Sequence, residues 1–469
     1  MTGAMRVIVD AQISPNGAVG GVEQFIAGLV RALGRLEDGP EEYTIVGSPE
    51  NLDWLAQLSG ANQRVVAGPQ RERPLEGAKR RFGPLRKPVG LAWRRLRNAL
   101  PARLAEIGVL PESQGFYENL GGRVLHFPHQ MFVRTALPTL FNPHDLQHRH
   151  FPAFFTRDEI SRREVVYRAG CRESAAVVVE SRWIADDIIR QYRIPSQKLA
   201  VVPLAPSTDL CDPPDQDELR AVLARFDLPE RFALYPAQTW PHKNHAGLID
   251  ALARLRARHG LELQVVCTGR QNEAWPAIER HLRDARLEGQ VRFLGYVSPG
   301  QLRALYRLAL FLVFPSLFEG CGLPVMEAFA EGLPVVCSNV APLVEVAGDA
   351  ALTFDASSPE SIVEALRRAL TDPALLAELR RRGLERARTV SWERTARTYR
   401  ALYRRAAGTN LSEEDCAVLA DALRKPENLL TEATASERRR DRPCSALAPS
   451  RPPVSGEYGL AADSTGVLP

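Results

Sequence analysis

The chain has 469 residues, which is too long for one ordinary hydrophobic core and enough for two or three domains of roughly 100 to 200 residues each. Hydrophobic residues make up 45% of the sequence and charged residues 25%, a balance typical of a folded globular protein rather than a fibrous or disordered one. The net charge is only +4, but the basic residues are unevenly distributed, so local runs say more about partners than the mean does.

The sequence predicts neither an export signal nor a membrane span. The first residues, MTGAMRVIVD, pass directly into a strand-like run, and no stretch approaches the roughly 18 to 20 apolar residues needed to cross a bilayer. The seven cysteines are scattered, odd in number and never spaced C-x-x-C, which disfavours a disulfide framework and a zinc site. These features predict a protein of the reducing cytoplasm.

The first 205 residues alternate strand-like and helix-like segments. Residues 6–12 (RVIVDAQ) form a β-branched run, a glycine loop follows, and apolar residues then recur at helical spacing from Val22. Several later runs are apolar on both faces, as expected of strands in a parallel sheet that helices cover. These runs lie at residues 43–48, 123–128, 139–143, 175–181 and 199–205.

A second cycle of the same pattern occupies residues 232–355. Its strand-like runs lie at 232–238, 261–269, 291–297, 310–316, 333–339 and 351–355, and helix-like segments separate them at 246–259, 299–308 and 359–370. This alternation predicts two doubly wound α/β domains. Proline and aspartate interrupt both periodicities between 205 and 216, so we place an N-terminal domain at 1–205 and a C-terminal domain at 206–390.

The end of the chain changes character. Residues 391–407 contain WERTARTYRALYRR, which predicts a terminal helix, and 408–469 form an extension. One amphipathic helix fits between Ser412 and Leu430, but the remainder has too few apolar residues to bury a core, so we expect disorder from 435 onward. A chain that ends at Thr409 is therefore expected to stay active.

The most informative stretch is FPSLFEGCGLPVMEAFAEGLPVVCSNVAPLVE, residues 314–345. A strand, a glycine turn at Gly322 and a helix start at Pro324 would leave the amides of Val325, Met326 and Glu327 unpaired and aimed at an anion. Glu319 and Glu327 bracket this site, where they could accept hydrogen bonds from sugar hydroxyls on either side of a diphosphate. The pattern therefore indicates a nucleotide-sugar ligand, although either glutamate alone is more often an ordinary loop or helix-start carboxylate.

This E-x7-E pattern, with Gly322, Leu323 and Pro324 inside it, resembles the retaining glycosyltransferases of family 4. The resemblance covers roughly residues 5 to 406 and implies the GT-B fold, in which two Rossmann-like domains face each other across a cleft. It implies that Glu319 contacts the transferred sugar and that Glu327 contacts the nucleotide ribose. It also implies that the terminal helix crosses back to brace the first domain.

The resemblance extends to the loop YPAQTWPHKNH, which in the family grips the donor diphosphate with basic side chains. Lys243 matches the family lysine, and the adjacent His242 could assist it. The family arginine is replaced by Gln238 and the family glycine by Ala237, which leaves Lys243 as the main cation for the diphosphate. The alternative for Lys243 is a solvated lysine, but a helix start disfavours a cation.

Two further sites carry the resemblance in the first half. Gly17, Gly20 and Gly21 match the family's glycine loop, which approaches the donor phosphates and the acceptor. His144 and the aspartate after it match the family's H-D segment, whose histidine lies beside the reacting sugar, and they follow a strand as crevice residues do. We therefore expect Gly20 and Gly21 to bind the donor and His144 to be catalytic.

These residues predict transfer of a sugar from a nucleotide sugar to an acceptor hydroxyl, with retention implied by the family. No D-x-D pair accompanies the motifs, so we expect no metal ion and no cofactor beyond the co-substrate, for which the H-D and P-H-K-N segments suggest GDP-mannose. The acceptor would be a glycan or a lipid-linked sugar in cell-surface polysaccharide or glycolipid synthesis. The alternatives are a nucleotide-sugar epimerase of the same fold and a non-catalytic nucleotide-sugar-binding subunit.

A basic insertion lies at residues 71–103, where eleven Lys or Arg side chains face only Glu72 and Glu76, a local charge of +9. A solvated basic face is the alternative to a binding role. Leucines and Trp93 lie among the arginines in a helix-like pattern, which favours peripheral contact with an anionic membrane at the inner face of the cell. Nucleic acid is not expected, because no nucleic-acid fold or aromatic platform accompanies the run.

Overall fold

The computed structural model describes residues 5–15, 20–69 and 110–423. Its first sheet is parallel, with strand order β3-β2-β1-β4-β5-β6-β7. The strands are β1 (Met5–Asp10), β2 (Glu41–Gly47), β3 (Gln63–Ala67), β4 (Val124–Phe127), β5 (Thr139–Phe141), β6 (Ala176–Val179) and β7 (Leu199–Val201). Val7 and Ile8 point to opposite faces of the sheet, and both are fully buried, each in a separate apolar cluster. Helices therefore cover both faces, as a parallel sheet requires.

The helices of this half are amphipathic segments that bury one stripe against the sheet. The first places Phe25, Leu29 and Leu33 in the core without exposure. Another opens with a capping box, in which Thr156 and Glu159 bond each other's backbone amides. The described helices are Gly21–Gly34, Asp53–Ala56, Phe116–Asn119, Gln147–His150, Arg157–Glu173 and Arg182–Tyr192, with short 3-10 turns at Pro152–Phe154 and Ser196–Lys198.

The second sheet is also parallel, with strand order β10-β9-β8-β11-β12-β13. Its strands are β8 (Ala233–Pro236), β9 (Val265–Thr268), β10 (Val291–Phe293), β11 (Phe311–Phe314), β12 (Val335–Ser338) and β13 (Ala351–Phe354). Its helices are Gln216–Phe226, His245–His259, Trp275–Asp284, Pro299–Leu308, Leu323–Ala330, Ala341–Ala347, Pro359–Thr371 and Pro373–Ala387, with 3-10 turns at Ser207–Leu210 and Pro241–Lys243. One apolar cluster fills this half.

The two parallel sheets confirm the predicted fold class. Most of the apolar runs form strands that are shorter than the runs themselves, whereas β2 begins two residues before its run. Strand β3 was not predicted from the sequence, since its residues Gln63–Ala67 are mixed in polarity and half exposed at the sheet edge. Edge strands carry a weaker alternation signal than central ones.

A helix at Trp392–Ala406, which we call the crossing helix, packs against the first helix of the chain, Gly21–Gly34. Tyr403 Oη lies 2.8 Å from His126 Nδ1, and Tyr399 Oη accepts from Asn142 Nδ2 at 2.8 Å. Trp392 Nε1 donates to the carbonyl of Pro206 at 3.0 Å. The crossing helix thus contributes buried hydrogen bonds to the first sheet.

A further helix, Glu413–Ala422, which we call the tail helix, follows a capping box at Ser412. Leu419 and Ala422 are buried in the same cluster as the first sheet, and Asp415 accepts from Arg404 at 2.9 Å. A cut at Thr409 would therefore remove core residues, which corrects the expectation that everything after Thr409 is dispensable. The tail helix also ends earlier than the predicted limit at Leu430, within the part of the chain that the structure describes.

Candidate functional site

The strand order brings two loops of the second sheet together. Strands β8 and β11 are neighbours at the point where the order reverses, with Phe311 paired to Ala233 and Leu312 to Leu234. Their carboxyl ends open into the same crevice, which is where ligands bind in open α/β sheets. Lys243 follows β8 and Glu319 follows β11. Two residues that the sequence selected separately, 76 positions apart, therefore lie side by side.

Lys243 and Glu319 form an ion pair, with Nζ 2.6 Å from Oε1. Their side chains are 16% and 10% exposed, so water screens the pair only weakly. The Lys243 ammonium also lies 5.2 Å from the ring centroid of Phe314. Both charges are thus held near the crevice rather than at the open surface.

The backbone of the Lys243 loop is fixed by its neighbours. Tyr235 Oη donates to the Lys243 carbonyl oxygen. Asn244 has a left-handed φ of 59°, and its side-chain amide donates to the carbonyls of Pro315 at 3.1 Å and Ala356 at 3.0 Å. Asn tolerates this conformation better than most residues. Asn244 therefore connects the loop after β8 to the loop after β11, and this connection holds Lys243 beside Glu319.

The helix Leu323–Ala330 begins as the sequence predicted, but its free amides differ from the expectation. Gly322 has a left-handed φ of 72°, and a Cβ there would lie 2.1 Å from Leu343 Cδ2, so both conformation and space require glycine. The Val325 amide donates to the Gly322 carbonyl at 2.9 Å, and Pro324 has no amide hydrogen. Met326 is the fourth residue of the helix Leu323–Ala330 and belongs to the first turn, whose amides have no partner within a helix. The expectation of an unpaired amide is therefore wrong for Val325, and for Met326 it stays a prediction.

Glu327 is buried, with 4% of its surface exposed. Tyr306 Oη donates to it at 2.6 Å, and Ser207 Oγ donates to its other oxygen. Burial raises the pKa of Glu327, and these hydrogen bonds only partly oppose that rise. Ser207 belongs to the segment between the two sheets, so Glu327 joins the helix Leu323–Ala330 to that segment. Its predicted contact with a ribose stays a prediction.

Gly20 and Gly21 lie at the start of the first helix, and Gly17 lies outside the described residues. Gly20 has a φ of 57°, and a Cβ on it would lie 3.3 Å from Gln238 Nε2 in the other half of the molecule. Gly21 has open space around its Cβ position. The glycine loop therefore approaches the position where the resemblance led us to expect an arginine, and the smaller, neutral Gln238 stands there.

His144 has a left-handed φ of 63° and is buried. Its Nδ1 lies 2.8 Å from Glu180 Oε1 and its Nε2 lies 3.0 Å from the Pro128 carbonyl oxygen, so both ring nitrogens face acceptors. Burial alone lowers the pKa of His144, but the charge and hydrogen bond of Glu180 and the Pro128 carbonyl outweigh it, and the net shift is upward. The raised pKa therefore favours the positively charged form of the ring, in which neither nitrogen is free to accept a further proton.

Some polar residues near the crevice were missed by the sequence analysis. Asp10, at the end of β1, accepts from Tyr117 Oη at 2.6 Å and from Gln12 Nε2 at 3.0 Å. His129 Nε2 lies 3.7 Å from Asp10 Oδ1. The sequence does contain a signal for Asp10, which is a charged residue directly after the apolar run VIV. A carboxylate rarely ends a buried strand without a polar partner.

The described residues contain neither a cluster of metal ligands nor a helix that could cross a membrane. Among residues 5–15, 20–69 and 110–423, no three His, Cys, Asp or Glu side chains group as metal ligands would. No described helix is both long enough and apolar enough to span a bilayer. The basic insertion at 71–103 lies outside the described residues.

The second half of the chain matches a known protein family. The sequence profile of the glycosyl transferases group 1 family matches residues 215–389, which contain Lys243, Glu319 and Glu327. The O-antigen chain mannosyltransferase B of Escherichia coli is 31% identical over 277 residues, which span 58% of this chain and 70% of that protein. The serotype-specific mannosyltransferase WbdA of Escherichia coli is 30% identical over 226 residues, 47% of this chain and 28% of that longer protein.

A solved structure has the same architecture. Sucrose-phosphate synthase from Thermosynechococcus elongatus superposes with a TM-score of 0.62, covering 86% of this chain and 98% of that one. The two sequences are 19% identical, so this likeness concerns the fold.

Proposed function

Since the chain belongs to the glycosyl transferases group 1 family and is a glycosyltransferase, we propose that it moves a mannosyl group from a nucleotide diphosphate sugar, GDP-mannose, to an acceptor hydroxyl. The support for mannose is that the two Escherichia coli relatives described above are named as mannosyltransferases. The support for an acceptor in cell-surface polysaccharide synthesis is the O-antigen relative. Retention at the anomeric carbon belongs to the same proposal, and it rests on the resemblance to family 4.

The observation that carries the proposal is the ion pair between Lys243 and Glu319. A donor diphosphate bears more negative charge than one carboxylate, so it competes for the Lys243 ammonium when it enters the crevice. Glu319 then loses its partner and can accept hydrogen bonds from the hydroxyls of the sugar. Donor binding would thus place the cation on the diphosphate and the carboxylate on the sugar in a single exchange.

His144 supports the same reaction from the first half of the molecule. Its carbonyl oxygen lies 3.0 Å from the Cβ position of Gly320, the residue after Glu319. This contact is made by the backbone of His144. In the proposal its protonated ring adds positive charge beside the departing diphosphate, because fixed charges in a site shielded from water stabilise such a leaving group. Proton abstraction from the acceptor is not assigned to His144, because both ring nitrogens are already engaged.

The test is donor binding followed by product analysis. Purified protein is screened against a panel of nucleotide sugars by thermal shift, since a ligand of the native state raises the apparent stability. The preferred donor is then incubated with and without glycan or lipid-linked acceptors, and the anomeric configuration of the product is read by NMR. Glu319→Ala is the matched variant, and we expect it to remain folded and to lose turnover.

Each outcome selects a function. Sugar transfer only when an acceptor is present supports the proposal, and retention in the product supports family 4 chemistry. Conversion of the nucleotide sugar in the absence of any acceptor would indicate a nucleotide-sugar epimerase. Binding without turnover across all donors and acceptors indicates a non-catalytic subunit, which the neutral Gln238 makes reasonable. Activity that requires added magnesium and disappears in chelator would overturn the metal-independent account.

A membrane role for the basic insertion, residues 71–103, is part of the proposal and is supported by its local charge of +9. Each cation near an anionic surface contributes roughly 1 kcal/mol, and salt screens that attraction. We expect the protein to sediment with anionic vesicles at low salt and to be released when the arginines of this segment are neutralised. Equal sedimentation with neutral and anionic vesicles, or none with either, would contradict a membrane role.

A further inference from the structure

The loop that carries Glu319 belongs to the second half of the chain, but one of its side chains is buried in the first half. Phe318 is 6% exposed and lies in an apolar cluster of the first sheet. Its ring stacks on His150 with centroids 5.4 Å apart and meets Trp183 and Phe151 edge-on, each at 5.9 Å. The residue immediately before Glu319 is therefore anchored on the opposite side of the crevice.

The residue immediately after Glu319 is anchored there as well. The Gly320 carbonyl oxygen accepts from Ser181 Oγ at 3.1 Å. A Cβ on Gly320 would lie 3.0 Å from the His144 carbonyl oxygen, so the two backbones are in close contact. Glu319 itself bonds Lys243 of its own half. The backbone on both sides of the glutamate thus rests on the first half, while its carboxylate points back into the second.

A separate contact joins the same surfaces. The carboxylate of Glu345, in the helix Ala341–Ala347, accepts from the amides of Arg182 at 2.8 Å and Trp183 at 3.1 Å. These are the first two residues of the helix Arg182–Tyr192, whose free amides and dipole favour a negative charge. The N-terminus of that helix therefore receives Glu345, while Ser181 bonds Gly320 and Trp183 contacts Phe318.

We propose that Phe318 is a positioning residue, which fixes Glu319 for the reaction by docking its ring among His150, Phe151 and Trp183 of the first half. Ser181 and Trp183, at the start of the helix Arg182–Tyr192, thus hold the loop that carries Glu319. The inference rests on the proposed function, because it assigns Phe318 to the site of that reaction. It predicts that Glu319 is placed correctly only while the two halves are in contact.

Glu319 lies directly between two anchored residues, Phe318 and Gly320. A glutamate flanked on both sides by anchored residues has little backbone freedom, so its carboxylate is oriented before the donor arrives. Loss of the Phe318 ring would free the backbone at Glu319 without removing any group that contacts nucleotide or sugar. A misplacement of about 1 Å in a reacting group can cost roughly 100-fold in rate. Donor affinity, which depends on Lys243 and the amides of the second half, would change much less.

The experiment compares Phe318→Ala with the wild type, Phe318→Leu and a control, Trp275→Ala. Trp275 packs edge-on against Phe293, 4.6 Å away, within the second half, so its loss removes a comparable aromatic contact elsewhere. We expect Phe318→Ala to lower kcat at least tenfold while the Kd for nucleoside diphosphate stays within about twofold. Phe318→Leu should recover most of the rate, and Trp275→Ala should change neither quantity.

A double mutant separates positioning from general packing. If Phe318 acts through Trp183, then Phe318→Ala combined with Trp183→Ala has a kcat no lower than that of Phe318→Ala alone. A multiplicative loss in the double mutant, or a folded Phe318→Ala protein with kcat within twofold of the wild type, overturns the proposal.

Hydrogen exchange gives a readout that does not depend on turnover. Amides of residues 316–322 should exchange faster in Phe318→Ala and remain protected in Trp275→Ala. Unchanged exchange in Phe318→Ala would contradict the docking. If the wild type transfers no sugar from any donor, the proposed function fails, and the exchange data still decide whether the ring anchors this loop.

Discussion

Lys243 is the residue whose removal tests the donor site most directly. Replacing it by Ala would remove the proposed charge-assisted contact to the donor phosphate, and it leaves the Glu319 carboxylate without its cation. Such a contact is worth about 1.5 to 3 kcal/mol, so the Kd for the nucleotide sugar should rise roughly 10- to 100-fold. Isothermal titration measures this rise, with Lys198→Ala as the control because Lys198 bonds only a surface carbonyl. An unchanged Kd in Lys243→Ala would remove Lys243 from the donor site.

Glu180 is a second residue with a measurable effect, because it pairs with His144 and its other oxygen has no hydrogen-bond partner among the described residues. Glu180 and, more weakly, Asp145 raise the pKa of His144. Glu180→Gln keeps the hydrogen-bond geometry and removes the charge, so the pKa of His144 should fall. Because a protonated ring is the active form in this proposal, the loss of activity at high pH should begin at lower pH in the variant.

The measurement is the pH dependence of kcat/KM together with an NMR titration of the His144 ring. The two should shift together in Glu180→Gln. A shifted titration with an unchanged rate profile would show that the charge of His144 has no part in the reaction.

At the scale of secondary-structure elements, the tail helix offers a test of where the folded part of the chain ends. Leu419 is 4% exposed, and burial of a leucine contributes about 2 to 3 kcal/mol. Ending the chain after Thr409 also removes Asp415, which bonds Arg404 beside Glu41. We expect this truncation to lower the free energy of unfolding by about 3 kcal/mol or more.

A chain ending after Leu429 is the matched control for the truncation, since it keeps the tail helix and should unfold like the full chain. Calorimetric or urea unfolding of the two proteins makes the comparison. Equal stability in both would mean that the tail helix adds nothing to the core.

The secondary-structure elements also show which features of the fold could be predicted from the sequence. The apolar runs at residues 43–48 and 310–316 predicted strands because local apolarity decides whether a parallel strand can be buried. Pairing between distant segments has no local signal, and the contact of Phe318 with Trp183 depends on how two sheets come together. The same holds for Lys243 and Glu319, which the family pattern selected one at a time. The free amides at Val325 were misjudged because a helix start can close its own first turn.

At the scale of the whole molecule, buried histidines make the stability depend on pH. Burial lowers the pKa of both His126 and His245 to about 3, from 6.5 for an exposed ring. The unfolded chain therefore takes up protons below pH 6.5 that the native chain does not. Stability from these groups is complete above pH 6.5 and is lost as the pH falls toward 3, by about 1.4 kcal/mol per histidine per pH unit. His144 opposes this, because its raised pKa contributes stability at low pH that is lost as the pH rises.

Burial lowers the pKa of His242 as well, so three lowered histidine pKa values against one raised value give net destabilisation in acid, which urea unfolding at about pH 7.5 and about pH 5.5 measures. His245→Phe is the informative variant, since the ring lies 4.7 Å from that of Tyr235 and neither nitrogen has a hydrogen-bond partner in the described structure. The variant should lose less stability between the two pH values than the wild type. Identical losses would assign the acid sensitivity to other groups.

The crossing helix and the tail helix also fix the order in which the molecule can be completed during synthesis. Tyr399, Tyr403 and Leu419 are part of the core around the first sheet, although they come late in the chain. At roughly 5 to 20 residues per second, the ribosome needs on the order of 20 to 80 seconds to reach them. Until then the first sheet lacks part of its apolar cover, and His126 lacks the partner that Tyr403 provides. The second sheet can therefore finish folding before the first. A chain that stops before Trp392 would leave the first sheet without part of its core.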